Sequence, residues 1–485
     1  MRRAKWLLLL VVFAMVVAAC SSDSDDTTTT AAGDTTTTAA GDTGDTTTTA
    51  ADASNTTTTA AGSDADMVDV TGTEFTLLGL PVGDEGKAME GFLNAYNAEK
   101  GTNITFTGSD DMESQLRIRV EGGDPPEMAA LAQPGSICPY AEQGALTSVE
   151  DMGIDIAQLE DTFGKFWVDL GLCADGLHDG IPWFPNFKSI VFDHEPTFVE
   201  QGYAIPETWE DMMALSQQMV DDGFTPWCFG FESGGATGWA GTDWLEDIIA
   251  RQSGGDVYAQ WFKHEIPFND PAVIAAFDKF GELIFSEGFV LGGAENIAGV
   301  SVTDSPGPLF NDPPGCLMLK QGSFARNWMV DLTGYTPEKA AELKVFPFPT
   351  IDGNAGAMGG GDTLIVFNGT PENAQLVKDW ISPDWQCTLA SFDGGGVSPY
   401  GGHGVEGVER LPANRFTDLN CLNTEENQFI AQAVWDAMAA NGFVFDASDL
   451  MPPAVGQGTF WTGMVDFTRG VSSQEVADAI ESSWP

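Results

Sequence analysis

Beyond residue 70, short β-branched or aromatic runs alternate with segments whose apolar residues recur every three or four positions, a pattern of strands and amphipathic helices. Phe75–Leu80 predicts a strand, with Pro81–Glu85 as the turn behind it. Met89, Phe92, Leu93 and Tyr96 then fall at i, i+3, i+4 and i+7 of a helix. Ile104–Thr107 predicts a second strand, Met112–Glu121 a helix, and Glu127–Ala132 a third strand ending at Gln133-Pro134-Gly135. Such alternation favours an α/β layer of mainly parallel strands. Ligands of these sheets sit beyond the carboxyl ends of strands, so Asp84, Asp110 and Gln133 are the first lobe's candidate contacts.

Gly180–Asp211 breaks the rhythm. Pro182-Trp183-Phe184-Pro185 reads as a stiff aromatic turn and Ser189–Phe192 as a short buried strand. Thr208-x-x-Asp211 marks the start of a helix with a capping box. The stretch is either a crossing between two lobes or a core strand followed by a helix.

At 485 residues the chain exceeds what one hydrophobic core usually organises, so two lobes are expected. Its 72 acidic and 20 basic residues give a net charge of −52, which argues against nucleic acid or an anionic membrane surface as partner. An acidic ligand would need Arg117, Arg119, Lys188 or Arg326 to gather at its site.

The N-terminus differs in kind. Arg2, Arg3 and Lys5 precede the apolar run Trp6–Ala19, a secretory signal too short to be a comfortable spanning helix. Val17-Ala18-Ala19-Cys20 resembles a bacterial lipobox, which predicts a signal peptide over 1–20 and lipidation at Cys20. Residues 21–70 are rich in Thr, Ala and Asp without apolar periodicity, so they predict a disordered tether. Such a chain reaches roughly 35–42 Å. The protein is thus expected on the extracellular face of the cell membrane (or in the periplasm), held by its N-terminal lipid.

Six cysteines remain, and an even number in an exported protein predicts three disulfides among fifteen connectivities. Nearest-neighbour pairing gives Cys138–Cys173, Cys228–Cys316 and Cys387–Cys421. With no Cys-x-x-Cys and four scattered histidines, neither a structural metal nor a cofactor is expected.

Several motifs in order resemble the sugar-binding lipoproteins of ABC importers (family 1 sugar-binding proteins): Gly122–Glu127 (GGDPPE), Gln133–Gly135, Pro182–Phe192 and Gly202–Trp209 (GYAIPETW). Phe445–Gly456 (FDASDLMPPAVG) is similar to the α-glucoside-binding branch. The resemblance covers Thr73–Pro485. It implies a type II periplasmic-binding-protein fold of two lobes joined by about three crossover segments, with the sugar in the cleft between them. It implies lobe 1 over 71–185 and 350–395, and lobe 2 over 186–349 and 396–485. The crossings then fall in Gly180–Asp211, Val345–Pro349 and Gly394–Pro399. Partners implied are a small carbohydrate and the membrane permease, the binding protein itself being a monomer. Related chains carry an aromatic followed by Asn, Arg or Lys after the first crossover strand; here Phe192-Asp193-His194 departs from that pattern.

Sugar recognition needs flat rings against pyranose C–H faces and carboxylates or amides for the hydroxyls. Trp183, Glu232, Trp239 and Asp243 answer that description, whereas Trp244, Ile248 and Ile249 share a helix face and predict core. The resemblance adds Phe324 beneath the sugar. Gly360 is expected to approach the cleft through backbone, with Asp362 beside it. Against an enzyme, Gly402–Gly407 fits G-x-G-x-x-G but lacks the strand-then-helix context of a nucleotide site. A glycosidase or lyase needs two carboxyls about 5–10 Å apart across the scissile bond, and an acidic chain offers many pairs. A structural adhesin would show neither saturable small-ligand binding nor lobe closure.

Overall fold

The computed structural model describes residues 67–109, 111–329, 332–390, 410–422, 425–439 and 443–485. Among the described residues nine strands run in chain order: β1 (Glu74–Gly79), β2 (Asn103–Gly108), β3 (Met128–Leu131), β4 (Ile181–Phe187), β5 (Ile190–His194), β6 (Met318–Lys320), β7 (Leu343–Pro347), β8 (Ala357–Val366) and β9 (Phe443–Phe445). They form a six-stranded sheet ordered β2-β1-β3-β8-β4, with β9 also paired to β8, and a three-stranded sheet ordered β6-β5-β7. Helices flank both, as the 3.6-residue periodicity requires. Thr208 and Ser472 cap their helices as expected, accepting from the backbone N–H groups of Asp211 (3.1 Å) and Glu475 (3.3 Å).

The expectation of mainly parallel strands holds for β1, β2 and β3 but fails at β8, which runs antiparallel to both β3 and β4. The reason is topological: a chain that leaves the first sheet along β4 and returns along β8 must reverse. The small sheet is antiparallel throughout. Pro182–Pro185 is not a turn but part of β4, the end of the sheet path, where missing N–H donors are tolerated. Its pairing with β8 shifts register between Pro182 and Phe184.

Each sheet carries its own core. The first packs Phe92, Tyr96, Trp183, Trp380 and Trp385; the second packs Trp209, Trp227, Trp244, Trp261, Phe280 and Phe460. The two-lobed arrangement is therefore present. Its boundaries differ from those expected. Leu411, Leu422, Ile430, Phe443 and Phe445, expected in lobe 2, bury their side chains in the first core. The cause is β9, whose Phe443–Phe445 pairs with Ala357–Gly359 of β8. Val444 already packs against the second core and Ala447 is buried in it, so this passage falls at Val444–Asp446. The first passage lies at Lys188–Ser189, between β4 and β5, and the return lies between β7 and β8. The expected crossing at Gly394–Pro399 and the glycine motif at Gly402–Gly407 lie outside the described residues, as do the leader, Cys20 and the tether to residue 66.

Cys138–Cys173 and Cys228–Cys316 are disulfide-bonded. Cys387 and Cys421 are not bonded. They are buried thiols in hydrogen-bond contact with each other, so the third expected pair meets without forming a bridge. Among the described residues no helix is long and apolar enough to cross a membrane.

Candidate functional site

A cleft of about 810 Å³ lies where the carboxyl ends of β1, β3 and β4 face the second lobe. Its first-lobe wall is polar. Leu80–Gly83 follow β1, Asp111 and Glu113 open the Met112–Glu121 helix, Gln133 follows β3, Asp362 comes from β8, and Arg410 closes the side. Its second-lobe wall is aromatic. Trp239 begins the Trp239–Phe262 helix, Phe324 and Trp328 come from the turn and helix after β6, and Trp461 from the C-terminal helices. Ring centroids of Trp239 and Phe324 lie 5.9 Å apart, those of Trp239 and Trp328 6.2 Å, and those of Phe324 and Trp328 5.1 Å, so three rings make one continuous apolar face.

The polar wall holds carboxyls that resist ionisation. Burial and the neighbouring Asp362 push Glu113 up to about 8, against the pull of Arg117. Burial likewise raises Asp362 to about 7, although Arg410 opposes it. Arg410 pairs with Glu85, and its guanidinium lies 4.1 Å from the centre of the Phe184 ring. A neutral carboxyl offers an O–H donor as well as acceptors, so this wall can meet hydroxyl groups in either sense. Glu113 Oε1, Gln133 Oε1 and Trp461 Nε1 are buried without a hydrogen-bond partner. Each such atom costs about 1–3 kcal/mol unless something supplies the missing bond.

Under the rings lies a charged floor. Lys188 Nζ donates to Asp243 Oδ1 at 2.9 Å and to Asp446, and sits 5.2 Å from the centre of the Trp239 ring. Burial works against the ammonium, but Asp243, Asp446 and Asp449 outweigh it and hold its pKa well above the usual lysine range. Burial also opposes ionisation of Asp446, yet Lys188 brings it down to about 2. Burial lifts Asp243 to about 7 and Asp449 well above the carboxylate range. Asp243, Glu246 and Asp446 bring carboxylate oxygens within 4.8 Å of one another, and the Lys188 ammonium supplies the cation that such a group needs.

The lobes meet directly beside this floor. Gln133 hydrogen-bonds Asp449, and Gln457 Nε2 donates to Ser136 Oγ at 2.9 Å. Gly135 permits the approach: a Cβ there would lie 2.7 Å from the Met451 carbonyl oxygen.

Four of the ten expected contacts, Gln133, Trp239, Phe324 and Asp362, come together on this cleft. Trp183 does not. It is fully buried in the first core, stacked on Trp380 at 5.9 Å, because its position in β4 turns it away from the cleft that Phe184 lines. Glu232 is exposed and accepts from the Gly234 N–H at 3.0 Å, holding a local turn. Asp243 lies beneath the lining, bound to Lys188. Gly360 is occupied in the sheet, its N–H donating to Asn186 Oδ1 at 2.8 Å, and the flanking glycines serve packing of β8 against β4 and Trp167. Asp84 lies in the first turn of the Gly83–Lys100 helix, its side chain outside the described set, and Asp110 lies outside the described residues. Sequence reasoning missed Glu113, Lys188, Arg410, Trp328, Asp449 and Trp461 as lining residues. Trp328 could have been found from its four-residue spacing to Phe324, and Asp449 lay inside the quoted FDASDLMPPAVG motif. Arg410 carried no local signal.

The model of the family described as bacterial extracellular solute-binding protein matches residues 81–382. The osmoprotective compounds-binding protein GgtB of Synechocystis sp. is 34% identical over 416 residues, covering 85% of this chain and 92% of that protein. The alpha-glucosides-binding periplasmic protein AglE of Rhizobium meliloti is 33% identical over 426 residues, covering 86% of this chain and 88% of that protein. Among solved structures, the bacterial solute receptor AcbH superposes with a TM-score of 0.68 at 18% identity, covering 84% of this chain and 98% of its own. Maltose-bound MalE3 of T. maritima superposes at 0.62 and 15%, covering 84% and 98%.

Proposed function

The chain belongs to the bacterial extracellular solute-binding protein family, and from that premise we propose that it captures a neutral sugar of the α-glucoside class between its lobes and delivers it to an ABC importer. The carrying observation is the opposition of the Trp239, Phe324 and Trp328 rings to a wall of unsatisfied polar atoms and neutral carboxyls. A pyranose offers that pair of walls its C–H face and its hydroxyls in turn. Relatedness to AglE, whose name states alpha-glucosides, supports this substrate class. Relatedness to GgtB favours a second reading, a compatible solute of the sugar or polyol type.

The proposed mechanism is capture without chemistry. Lobe 1, built on the β1–β4 and β8–β9 sheet, and lobe 2, built on β5–β7, rotate about the three passages and bury the ligand. A micromolar dissociation constant corresponds to about −8 kcal/mol. The family is one of binding proteins, which sets aside the glycosidase reading. Lipidation at Cys20 and a tether over residues 21–70 would keep the closed form near a membrane permease and raise its effective concentration there.

A thermal-shift screen of about fifty sugars and polyols tests the proposal, since a ligand specific to the folded state raises its apparent stability. Maltose, trehalose or a longer α-glucoside should raise Tm in a saturable way. A polyol that does so while α-glucosides do not selects the second reading, and new sugars formed during incubation would show an enzyme instead.

A further inference from the structure

One helical segment, Trp239–Phe262, broken at Gly254, holds all three passages between the lobes. Lys188, in the first passage, donates through Nζ to Asp243, and Ser189 Oγ donates to Asp247 Oδ1 at 2.6 Å. Arg251 reaches the second passage, donating to the Gly356 carbonyl at 2.9 Å and the Phe348 carbonyl at 3.4 Å, while pairing with Asp247. Glu246 accepts from the backbone N–H groups of Ala447 (3.1 Å) and Ser448 (3.0 Å) in the third, and Tyr258 OH donates to the Phe445 carbonyl at 2.8 Å. All five anchors belong to the Trp239–Phe262 helix, whose first residue lies in the cleft; Asp243, Glu246, Asp247 and Arg251 precede the break at Gly254 (φ 79°, ψ 165°) and Tyr258 follows it.

The passages are also tied to one another. The Lys188 N–H donates to the Met358 carbonyl at 2.9 Å, the Phe348 N–H to the Ser189 carbonyl at 2.9 Å, and the Asp446 N–H to the Gly359 carbonyl at 2.7 Å. Lys320 of β6 completes the network, meeting Asp247 Oδ2 at 3.0 Å and the carbonyls of Lys188 (3.3 Å) and Asp243 (3.1 Å). Lys188, Asp243, Asp247, Arg251, Lys320 and Asp446 are all buried. Buried ion pairs of this kind resist partial opening, because parting one partner strands a charge out of water. Lys188 has a further position: it lines the cleft under Trp239 while its ammonium joins the first passage to the helix and, through Asp446, to the third.

We infer that the Trp239–Phe262 helix is the clamp of the hinge and that Lys188 is its positioning residue, so that a ligand on Trp239 and the angle between the lobes are set by one buried charge network. The inference rests on the capture reading for its ligand arm only. Without ligand, the clamp makes the three passages move together and holds the lobes in a narrow range of angles. With ligand, contact at Trp239 and the floor beneath it is transmitted to every passage at once. Arg251 touches no cleft-lining group, yet it holds the Phe348–Gly356 passage to the same network.

Spin labels at Ile118→Cys in the first lobe and Val199→Cys in the second, both exposed, would report the interlobe distance by pulsed electron resonance. Arg251→Met should broaden that distribution in the unliganded protein. It should also change affinity for a thermal-shift-positive sugar at least threefold, although the cleft lining is intact. Lys188→Met should do the same and weaken binding more, while Lys188→Arg, which keeps the charge, should recover part of the closure. If Lys188→Met does not fold, Arg251→Met and Lys188→Arg carry the comparison. A folded Arg251→Met with the parent's unliganded distances would overturn the clamp. Absence of any sugar-induced change in the parent would instead sink the capture reading, leaving the clamp to be judged on the unliganded distributions.

Discussion

The two walls of the cleft are built from opposite materials. The first lobe presents Glu113, Gln133, Asp362 and Arg410, groups that read hydroxyls and charge; the second presents Trp239, Phe324, Trp328 and Trp461, surfaces that read shape. Tryptophans on both sides show what the difference means. Trp183 in the first lobe is as aromatic as Trp239 in the second, but it stacks on Trp380 within a core. Trp239 stays half-buried at a helix start, leaning on Phe324 with room above it. A ring contributes to binding only where the fold leaves one face uncovered.

The largest effect should come from breaking the comparison on the wrong side. Trp183→Ala should destabilise the protein by about 3–5 kcal/mol through the cavity it leaves, seen as a lower denaturation midpoint. Affinity of the remaining folded protein should stay within about twofold. Trp239→Ala should behave in reverse, weakening sugar binding at least tenfold, about 1.4 kcal/mol, with little change in Tm. Equal affinity in that variant would remove Trp239 from the site.

The polar wall is tested by pH. Glu113 binds its proton more tightly folded, at about 8, than its ordinary value of 4.5. The folded state therefore holds the extra proton in between, and stability should fall as pH rises from about 4.5 through 8. Glu113→Gln should remove about 1 kcal/mol or more of that slope relative to the parent, measured as the difference in denaturant midpoint between pH 5 and pH 9. The smallest effect is expected at Glu232→Ala. Its carboxylate is exposed and serves Gly234, so affinity should change less than about twofold; a tenfold loss would put it back in the cleft.

Much of the fold was legible along the chain because strands and helices announce themselves over a few residues. The predicted helix Met112–Glu121 matches its observed bounds, and Thr208 and Ser472 cap where their spacing says. Pro182–Pro185 misled because the same two prolines that make a turn are also tolerated at a sheet's edge. The lobe boundary near 396 failed for a non-local reason: the pairing of β9 with β8 brings Phe443 and Phe445, along with Leu411, Leu422 and Ile430, into the first core. Within the site, Trp239 was visible from aromatic density in Gly-rich surroundings, and Phe324 through the family resemblance. Lys188 was visible only as a scattered cation, since its partners Asp243 and Asp446 lie 55 and 258 residues away. Trp183 and Asp243 were misplaced because facing is decided by sheet pleat and helix phase relative to a wall the local sequence does not contain.

The most direct measurement is calorimetric titration of the protein, beside Trp239→Ala, with the α-glucoside that gives the largest thermal shift. One-to-one saturable binding in the parent, at least tenfold weaker in the variant, is the predicted result. A parent that binds no carbohydrate, or a variant that binds as tightly as the parent, would contradict capture between an aromatic and a polar wall.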